Sequence, residues 1–158
     1  MWIEARSNVH PIHTEAQGLE GWLDIELVDG RPVADNNLGG HLEFPVENLK
    51  SGNVFEDREL RRRIDSRRFP TITGDLKAME QRNGSSDYLV DGDLTFRGVT
   101  RSYQDTMTLT ASDDGTVTLA GQSTFDVRDF GMEPPRILML KVEPEVSVRV
   151  EIVAAKVV

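Results

Sequence analysis

Three histidines are the residues of this chain best suited to metal chemistry, and their spacing argues against a shared site. His10 and His13 are three residues apart. They would face opposite sides of any strand, because successive side chains alternate between its two faces. A metal that also bound His41 would need a bulge, for instance at Pro11. We therefore expect surface or hydrogen-bonded histidines and no metal centre.

Catalytic motifs are also missing. The sequence has no nucleophile elbow, paired-histidine zinc helix, phosphate-binding glycine loop or dinucleotide fingerprint. Cysteine is absent, which excludes disulfides, thiolate metal ligands and a thiol nucleophile. The formal net charge of -9 repels a phosphate backbone and argues against a nucleic-acid partner. We expect a protein that is not an enzyme.

One carboxylate is different from the rest, because Asp105 shares a strand face with apolar residues. An unpaired buried carboxylate is costly, so it must lie near an opening, meet a cation or bind a polar group of a ligand. Arg101 shares its face, but four strand residues span about 13 Å, too far for contact along one strand. A solvated charge at a rim is the simpler alternative. Catalysis by Asp105 would require a strongly raised pKa inside a pocket.

Six arginines form the one basic concentration in this acidic chain, and four acids are interspersed among them. We interpret the stretch as a solvated helix face with internal ion pairs. The functional alternative is a patch that docks transiently on anionic head groups or a membrane surface. The arginines are Arg58, Arg61, Arg62, Arg63, Arg67 and Arg68, and the acids are Glu56, Asp57, Glu59 and Asp65.

The elements that position these residues are mostly strands. Turn sequences such as Asp29-Gly30 and Asn83-Gly84 separate runs that alternate between apolar and polar residues. The alternation predicts strands over residues 2–6, 9–16, 19–28, 39–49, 71–81, 86–97, 99–112 and 115–128, and a closing strand over 145–156.

One segment has helical rather than strand spacing. Asn53 followed by Glu56 resembles a capping box. Phe55, Leu60 and Ile64 then recur at helical intervals until the chain reaches a proline. The pattern predicts a short helix over residues 54–65.

Glycines interrupt the apolar faces of four predicted strands, at Gly21, Gly74, Gly92 and Gly121. A flat sandwich core would normally have Val, Ile or Leu there. In a barrel, glycines let strands coil sharply and leave space in the lumen. The alternative is that they only allow curvature around a fully packed interior. The pattern favours an antiparallel barrel and leaves open whether its lumen is empty or filled.

The whole chain, residues 1–158, is long enough for a single domain with its own core, and no linker is visible. The N-terminus lacks a basic stretch followed by an apolar core, and no apolar run is long enough to cross a bilayer. We therefore expect a soluble, cytoplasmic protein, although a trimmed periplasmic or secreted form would have the same features. An exposed barrel edge would allow a homodimer.

Several stretches are distinctive as ordered motifs: residues 92–101 (GDLTFRGVTR), 125–131 (FDVRDFG), 51–53 (SGN), 57–61 (DRELR) and 68–72 (RFPTI). The first two resemble the signature stretches of the YceI-like family of lipid-binding proteins. The other three resemble its strand, helix and re-entry segment in the same order. The resemblance covers most of the chain from about residue 40 onward.

The resemblance implies an all-β fold, an extended, lipocalin-like antiparallel barrel of eight strands with a short helix near one end. It implies that the lumen binds a long-chain amphiphile, such as a polyisoprenoid, an isoprenoid quinone or a fatty-acyl derivative. The role would be transport, storage or sequestration, with no cofactor other than this lipid. The alternative is a filled barrel that serves as a structural or interaction module.

In such a barrel, the side chains on the apolar face of each strand would point into the lumen. The apolar segment over residues 132–142 is predicted to be a loop, and its flexible methionines suit a portal or lid that includes Met132, Leu138 and Met139, with a packed plug as the alternative. Candidate polar anchors for a head group are Arg101, Asp105 and Arg128, and further hydrogen-bonding candidates are His10, Tyr88 and Tyr103. The predicted lumen residues are Gly21, Leu23, Ile25, Leu42, Phe44, Ile72, Leu76, Tyr88, Val90, Leu94, Phe96, Tyr103, Met107, Leu119, Phe125 and Val127.

Overall fold

The computed structural model of the protein describes residues 1–7, 11–15, 17–33, 38–134, 136–137 and 140–157. Strands dominate these ranges, and one α-helix, α1, spans Val54–Ile64. Short 3₁₀ turns lie at Val46–Asn48 and Val127–Phe130. The strands are β1 (Trp2–Ser7), β2 (Pro11–Glu15), β3 (Glu20–Asp24), β4 (Glu26–Val28), β5 (Arg31–Val33), β6 (Gly39–Pro45), β7 (Thr71–Gln81), β8 (Asp87–Phe96), β9 (Val99–Ala111), β10 (Val117–Asp126), β11 (Arg136–Ile137) and β12 (Leu140–Ala154).

The long strands form one antiparallel sheet that curls into a lipocalin-like half-barrel, called the barrel below, with β2 and β3 at the two edges of the sheet. Its hydrogen-bonded order is β2-β1-β12-β10-β9-β8-β7-β6-β3, and β11 pairs with β12. β4 and β5 form a separate hairpin. The nine strands along the main path correspond to the nine segments that the alternation predicts. The predicted fold class is confirmed.

Two strand boundaries differ from the predicted ones for local reasons. The predicted strand over 19–28 is divided into β3, which belongs to the barrel, and β4, which belongs to the hairpin. β6 ends at Pro45, because proline has no N–H to donate to a ladder. The next residue, Val46, donates its N–H to the carbonyl of Pro70 at 2.8 Å and begins a 3₁₀ turn.

The segment after Gly131, predicted as a loop over 132–142, includes β11 and the first residues of β12 in the structure. β10 ends before it, at Asp126. The Asp126 carboxylate accepts a hydrogen bond from the backbone N–H of Arg128 and caps the 3₁₀ turn that follows. Apolar composition without clear alternation concealed the start of β12.

Helix α1 begins and ends through specific backbone contacts. Asn53 is its N-cap, and the side-chain oxygen accepts from the N–H groups of Phe55 at 2.9 Å and Glu56 at 3.3 Å. The hydroxyl of Ser51 accepts from the Asn53 N–H at 3.2 Å. In a capping box this acceptor would be the side chain of Glu56, so Ser51 replaces it here. The helix ends before Asp65, which has the left-handed φ of 60°. The predicted helix is therefore one residue too long.

The barrel has two different ends, each with its own apolar cluster. We call the end that carries α1 the helix end, and the end packed against β4 and β5 the hairpin end. Tyr88 Oη donates to the carbonyl of Pro32 in β5 at 2.6 Å and ties the hairpin to the barrel wall. The buried cluster at the helix end comprises Phe44, Val46, Leu49, Ile64, Ile72, Val127 and Met132, and that at the hairpin end comprises Met79, Tyr88, Leu109, Val117 and Leu119.

Candidate functional site

A cavity of about 330 Å³ lies inside the helix end, between the sheet and α1. Its volume falls at the lower limit of small-molecule sites, roughly 300–1,000 Å³. Strands β1, β6 to β10 and β12 contribute to a predominantly apolar wall that is partly open to solvent. Leu60 and Ile64 of α1, together with Leu49 from the segment before the helix, cover one side of the cavity. The helix turns Leu60 and Ile64 inward.

Two glycines line the cavity, and they differ in which atoms a Cβ added at each position would contact. A Cβ added at Gly74 would meet only the carbonyl oxygen of Asp93, 3.9 Å away, so this glycine leaves open space. A Cβ at Gly121 would lie 3.0 Å from Cγ of Met107. The Met107 side chain therefore occupies the space over Gly121 and forms the floor of the cavity toward the hairpin end.

The other two glycines of the predicted set allow close approach of strands instead. A Cβ at Gly21 would fall 1.9 Å from the carbonyl oxygen of His41 in β6. A Cβ at Gly92 would fall 3.0 Å from the carbonyl oxygen of Asp75 in β7. Both contacts are with backbone, so these glycines serve curvature, the alternative reading of the pattern.

The polar part of the wall lies where β9 and β10 separate. Their ladder ends at the Met107–Gly121 pair. Continuing the same register would place Asp105 opposite Ser123, and the Ser123 hydroxyl donates to Oδ2 of Asp105 at 2.8 Å. Beyond this point side chains, rather than ladder hydrogen bonds, join the two strands. Asp105 and Ser123 both line the cavity and are half-buried.

Aromatic side chains fill the gap between β9 and β10, on the side of Asp105 away from the ladder. The ring of Tyr103 meets that of Phe125 edge-on, with centroids 4.7 Å apart, and stacks on Phe130 at 6.3 Å. The Tyr103 hydroxyl is buried and has no hydrogen-bond partner among the residues that the structure describes. Burial raises the pKa of this phenol.

The start of α1 supplies a second polar edge. Oδ1 of Asp57 accepts from the N–H of Ser51 at 2.8 Å and from its hydroxyl at 2.7 Å, which fixes the turn into the helix. Both residues line the cavity. Further along α1, Glu59 accepts from Arg62 and Arg63, and these hydrogen bonds lower its pKa to about 2. The predicted internal ion pairs of this helix are therefore present between Glu59 and Arg62 and between Glu59 and Arg63.

A family profile decides how this barrel is classified. The profile of the YceI-like domain matches residues 7–154. The chain belongs to the YceI-like family. The resemblance predicted from the motif stretches is confirmed. Among curated proteins none matches the sequence.

Solved structures share the YceI-like fold at low sequence identity. BcnA of Burkholderia cenocepacia is similar with a TM-score of 0.78 and 16% identity, covering 98% of this chain and 96% of that chain. The YCEI protein of Campylobacter jejuni gives 0.72 and 13%, covering 92% and 85%. A polyisoprenoid binding domain from Saccharophagus degradans gives 0.70 and 10%, covering 98% and 94%. At these identities the likeness concerns the fold alone.

Part of the predicted lumen set lines the cavity of this YceI-like barrel. Asp105 does so among the predicted anchors, and Met132, only 2% exposed, does so from the predicted portal. Leu138, Met139 and His10 lie outside the described residues. The predicted lumen residues that line the cavity are Leu42, Phe44, Ile72, Leu94, Phe96, Met107, Phe125 and Val127.

The remaining predicted lumen residues lie elsewhere, because strand parity specifies a face and not a depth. Leu76 lies over Gly40 of β6. Gly21 and Tyr103 take the positions described above, in a close strand contact and in the gap between β9 and β10. The others belong to the packed hairpin end: Leu23, Ile25, Tyr88, Val90 and Leu119.

Both predicted arginine anchors face other partners outside the cavity wall. Nε of Arg101 donates to the carbonyl of Asp129 at 3.0 Å. Arg128 pairs with the carboxylate of Asp126, with Nη2 and Oδ2 2.6 Å apart. The two side chains are thus engaged with the chain around the 3₁₀ turn after β10.

Sequence reasoning missed one wall of the cavity, formed by β1 and β12. Ile3 of β1 and four alternating valines of β12 line it. The valine alternation was visible in the sequence, but nothing in the sequence placed β12 beside β1 and β10 at cavity depth. Ser123 was also detectable, because it shares the parity of Phe125. The valines are Val142, Val146, Val148 and Val150.

Two features are absent from the described ranges. No group of three histidines, cysteines or acids there is arranged to hold a metal ion. Within the same ranges no helix is long and apolar enough to cross a membrane. His41, one of the three histidines, lies in β6, and its Nδ1 is 2.7 Å from Oδ1 of Asp75.

Proposed function

We propose that this YceI-like barrel binds a long-chain amphiphile in the cavity at its helix end. The observation that carries the proposal is an apolar cavity of about 330 Å³ at one end of a barrel whose other end holds a buried apolar cluster. The similar Saccharophagus degradans structure, described as a polyisoprenoid binding domain, supports a ligand of this class. The role is binding without catalysis, in transport, storage or sequestration.

The cavity suits an oily chain energetically. Each buried methylene contributes roughly 0.8 kcal/mol, so about ten methylenes contribute roughly 8 kcal/mol before the entropy of association is subtracted. Micromolar affinity corresponds to about 8 kcal/mol net, so a longer chain or a head-group contact must offset the cost of association. A polyisoprenoid, an isoprenoid quinone and a fatty-acyl derivative all supply that chain. Asp105 is the predicted anchor whose position on the wall suits a head group.

Filling the cavity tests the proposal directly. Gly74→Leu adds bulk into open space, because the nearest atom to a Cβ there, the carbonyl oxygen of Asp93, is 3.9 Å away. We expect it to weaken binding of a fluorescent fatty or isoprenoid probe by more than about tenfold. The matched control is Ala78→Leu, which adds bulk to an exposed position of the same strand. Native mass spectrometry before and after organic extraction shows whether a lipid co-purifies.

The result that overturns a carrier role is equally clear. If Gly74→Leu folds and binds the probe as well as Ala78→Leu does, the cavity is not the binding site. If the unsubstituted protein neither carries a lipid nor takes up any probe, the filled structural or interaction module is the better description.

We also propose transient contact with an anionic membrane surface through the start of α1. Val54 and Phe55 are 69% and 70% exposed, Glu56 and Asp57 line the cavity, and exposed Arg58 follows on the helix. Apolar side chains beside a basic one suit insertion at a lipid interface. Substituting both Val54 and Phe55 with Ser should lower flotation with anionic liposomes several-fold. Val153→Ser, at a site 63% exposed on β12, is the control and should not change it; equal flotation would exclude docking by α1.

Three further proposals concern the protein as a whole. We propose that residues 1–158 act as one domain, because strands from both halves of the sequence share one sheet. Assembly as a homodimer and a cytoplasmic location stay predictions. Analytical ultracentrifugation and fractionation of cells that express the protein test these two.

A further inference from the structure

The sheet is interrupted beside the cavity, within a stretch that the structure describes without a break. Before Met107, β9 is paired with β8 but not with β10. Beyond Gly121, β10 is paired with β12 but not with β9. Separating two neighbouring strands elsewhere in the sheet would break ladder hydrogen bonds, whereas here no ladder has to be broken.

Side chains close this gap between β9 and β10. Nearest the ladder, the Ser123 hydroxyl donates to the Asp105 carboxylate at 2.8 Å. Beyond that pair, the ring of Tyr103 meets the ring of Phe125 edge-on. Asp105, Ser123 and Phe125 all line the cavity, so the gap leads directly into it. Tyr103 is partly exposed and does not line the cavity, which places it on the outer side of the gap.

The 3₁₀ turn at Val127–Phe130 covers the gap on the side away from the ladder, and we call this turn the flap. The ring of Phe130, 1% exposed, stacks on Tyr103 and also forms part of the cavity wall. The flap lies between its N-cap, Asp126, and Gly131, which has a left-handed φ of 69°. A glycine at the end of a short segment can absorb a change of φ, as a hinge requires.

Two arginines on the opposite side of the gap hold the flap by its backbone. Nε of Arg101 in β9 donates to the carbonyl of Asp129 at 3.0 Å. Nη1 of Arg97, in the turn between β8 and β9, donates to the carbonyl of Gly131. Both contacts lie at the exposed surface, where water can replace either partner. The flap is therefore positioned by bonds that can open and close again.

These contacts bear on how a guest reaches the cavity, provided that the amphiphile site proposed above is correct. We propose that the bound chain enters and leaves sideways, through the gap between β9 and β10, and that the flap and the Tyr103 ring form the gate. Opening of a gate sets the rates of binding and release together. It leaves the affinity nearly unchanged, because the free and bound states remain the same.

A covalent bridge across the gap tests the gate directly. The chain has no cysteine, so Tyr103→Cys combined with Phe125→Cys supplies its only two thiols. Dibromoacetone joins the two thiols, and the matched control is the same variant with both thiols capped by iodoacetamide. Mass spectrometry confirms each product. Stopped-flow fluorescence then measures loading and release of dansylaminoundecanoic acid.

We expect the bridge to lower the rate constants of loading and of release at least about tenfold relative to the capped form, with Kd changed less than about threefold. A lower affinity with an unchanged loading rate would instead mean that the bridge only distorts the cavity, and it would contradict the gate.

A second pair of variants loosens the gate without touching the cavity wall. Arg101→Met removes the donor to the Asp129 carbonyl and should raise both rate constants at least about threefold, with little change in Kd. Arg82→Met removes the same charge from the exposed turn between β7 and β8 and should change neither. Thermal unfolding checks that each variant folds, and the arginine pair decides the matter if the double cysteine variant does not fold.

The outcomes separate the gate from the proposed function. If the bridged and capped forms load equally fast, or if Arg101→Met behaves like Arg82→Met, the guest uses another route, such as the mouth beside α1, and the lipid site stands. If the unsubstituted protein does not bind the probe, the proposed function fails, and the gate fails with it.

Discussion

The two ends of the barrel use the same strands and the same alternation, yet one end is filled and the other holds a cavity. At the hairpin end, Tyr88 is 2% exposed and packs with Met79 and Leu119. At the helix end, Gly74 leaves open space. The difference shows that facing inward does not decide whether a position binds a guest. The volume of the side chains at each depth decides it.

Closure of each end follows from a different element. The β4–β5 hairpin packs Leu27 against the hairpin-end cluster, and the Tyr88–Pro32 hydrogen bond holds it there. The helix end is closed by α1 and the residues around it, whose polar Asp57 faces the cavity. Met107 lies between the two regions, since it lines the cavity and packs on the hairpin-end cluster.

The largest expected effect comes from emptying the filled end. Tyr88→Ala removes a buried ring and should lower the free energy of unfolding by about 3–5 kcal/mol. Leu42→Ala, in the cavity wall, should lower it by about 1 kcal/mol, because Leu42 already borders empty space. Urea denaturation measures both. Equal losses at the two positions would show that the ends are packed alike.

A companion variant separates the ring from its hydroxyl. Tyr88→Phe keeps the packing and removes only the hydrogen bond to the Pro32 carbonyl. We expect a loss of about 1–3 kcal/mol, because the buried Pro32 carbonyl loses this donor. A loss as large as that of Tyr88→Ala would mean that attachment of the hairpin, and not packing, stabilises this end.

An effect on stability between those of Tyr88→Ala and Leu42→Ala, together with an effect on binding, is expected where the two regions meet. Met107→Ala removes the floor of the cavity and should lower the free energy of unfolding by about 2 kcal/mol. It should also let longer-chain probes bind more tightly than they bind the unsubstituted protein. Titration with alkyl probes of increasing length measures this. An unchanged preference for chain length would show that Met107 does not limit the cavity.

The sequence was sufficient for the family, the positions of the strands along the chain and the wall of the cavity near Phe96 and Phe125. It was not sufficient for depth. Tyr88 and Leu94 belong to the same face of β8, yet only Leu94 lines the cavity. Their difference depends on β5, a strand of three residues whose pairing with β4 leaves almost no periodic signal.

Glycines show the same limit from the opposite direction. Gly21 and Gly74 each interrupt the apolar face of a predicted strand, so the sequence pattern does not distinguish them. Only the approach of the neighbouring backbone distinguishes them: 1.9 Å to the His41 carbonyl in one case and 3.9 Å to that of Asp93 in the other. Such distances depend on sheet curvature, which no local sequence pattern contains.

The smallest expected effect comes from two residues on the outer face of the sheet, which belong neither to the cavity wall nor to the hairpin-end cluster. His41 and Asp75 are cross-strand neighbours of β6 and β7. The hydrogen bond to Asp75 raises the pKa of His41 above its ordinary 6.5. Because the folded state binds this proton more tightly, the contribution to stability is complete below pH 6.5 and is lost as pH rises through the folded pKa.

NMR titration of the His41 ring measures this prediction without relying on stability. We expect a midpoint above 6.5 in the unsubstituted protein and a lower one in Asp75→Asn, which removes the first cause of the shift. Probe binding should be the same on both sides of that midpoint, because His41 does not line the cavity. Binding that changes with the His41 titration would instead connect the outer face to the interior, and the contrast between the two ends would then not be a matter of packing alone.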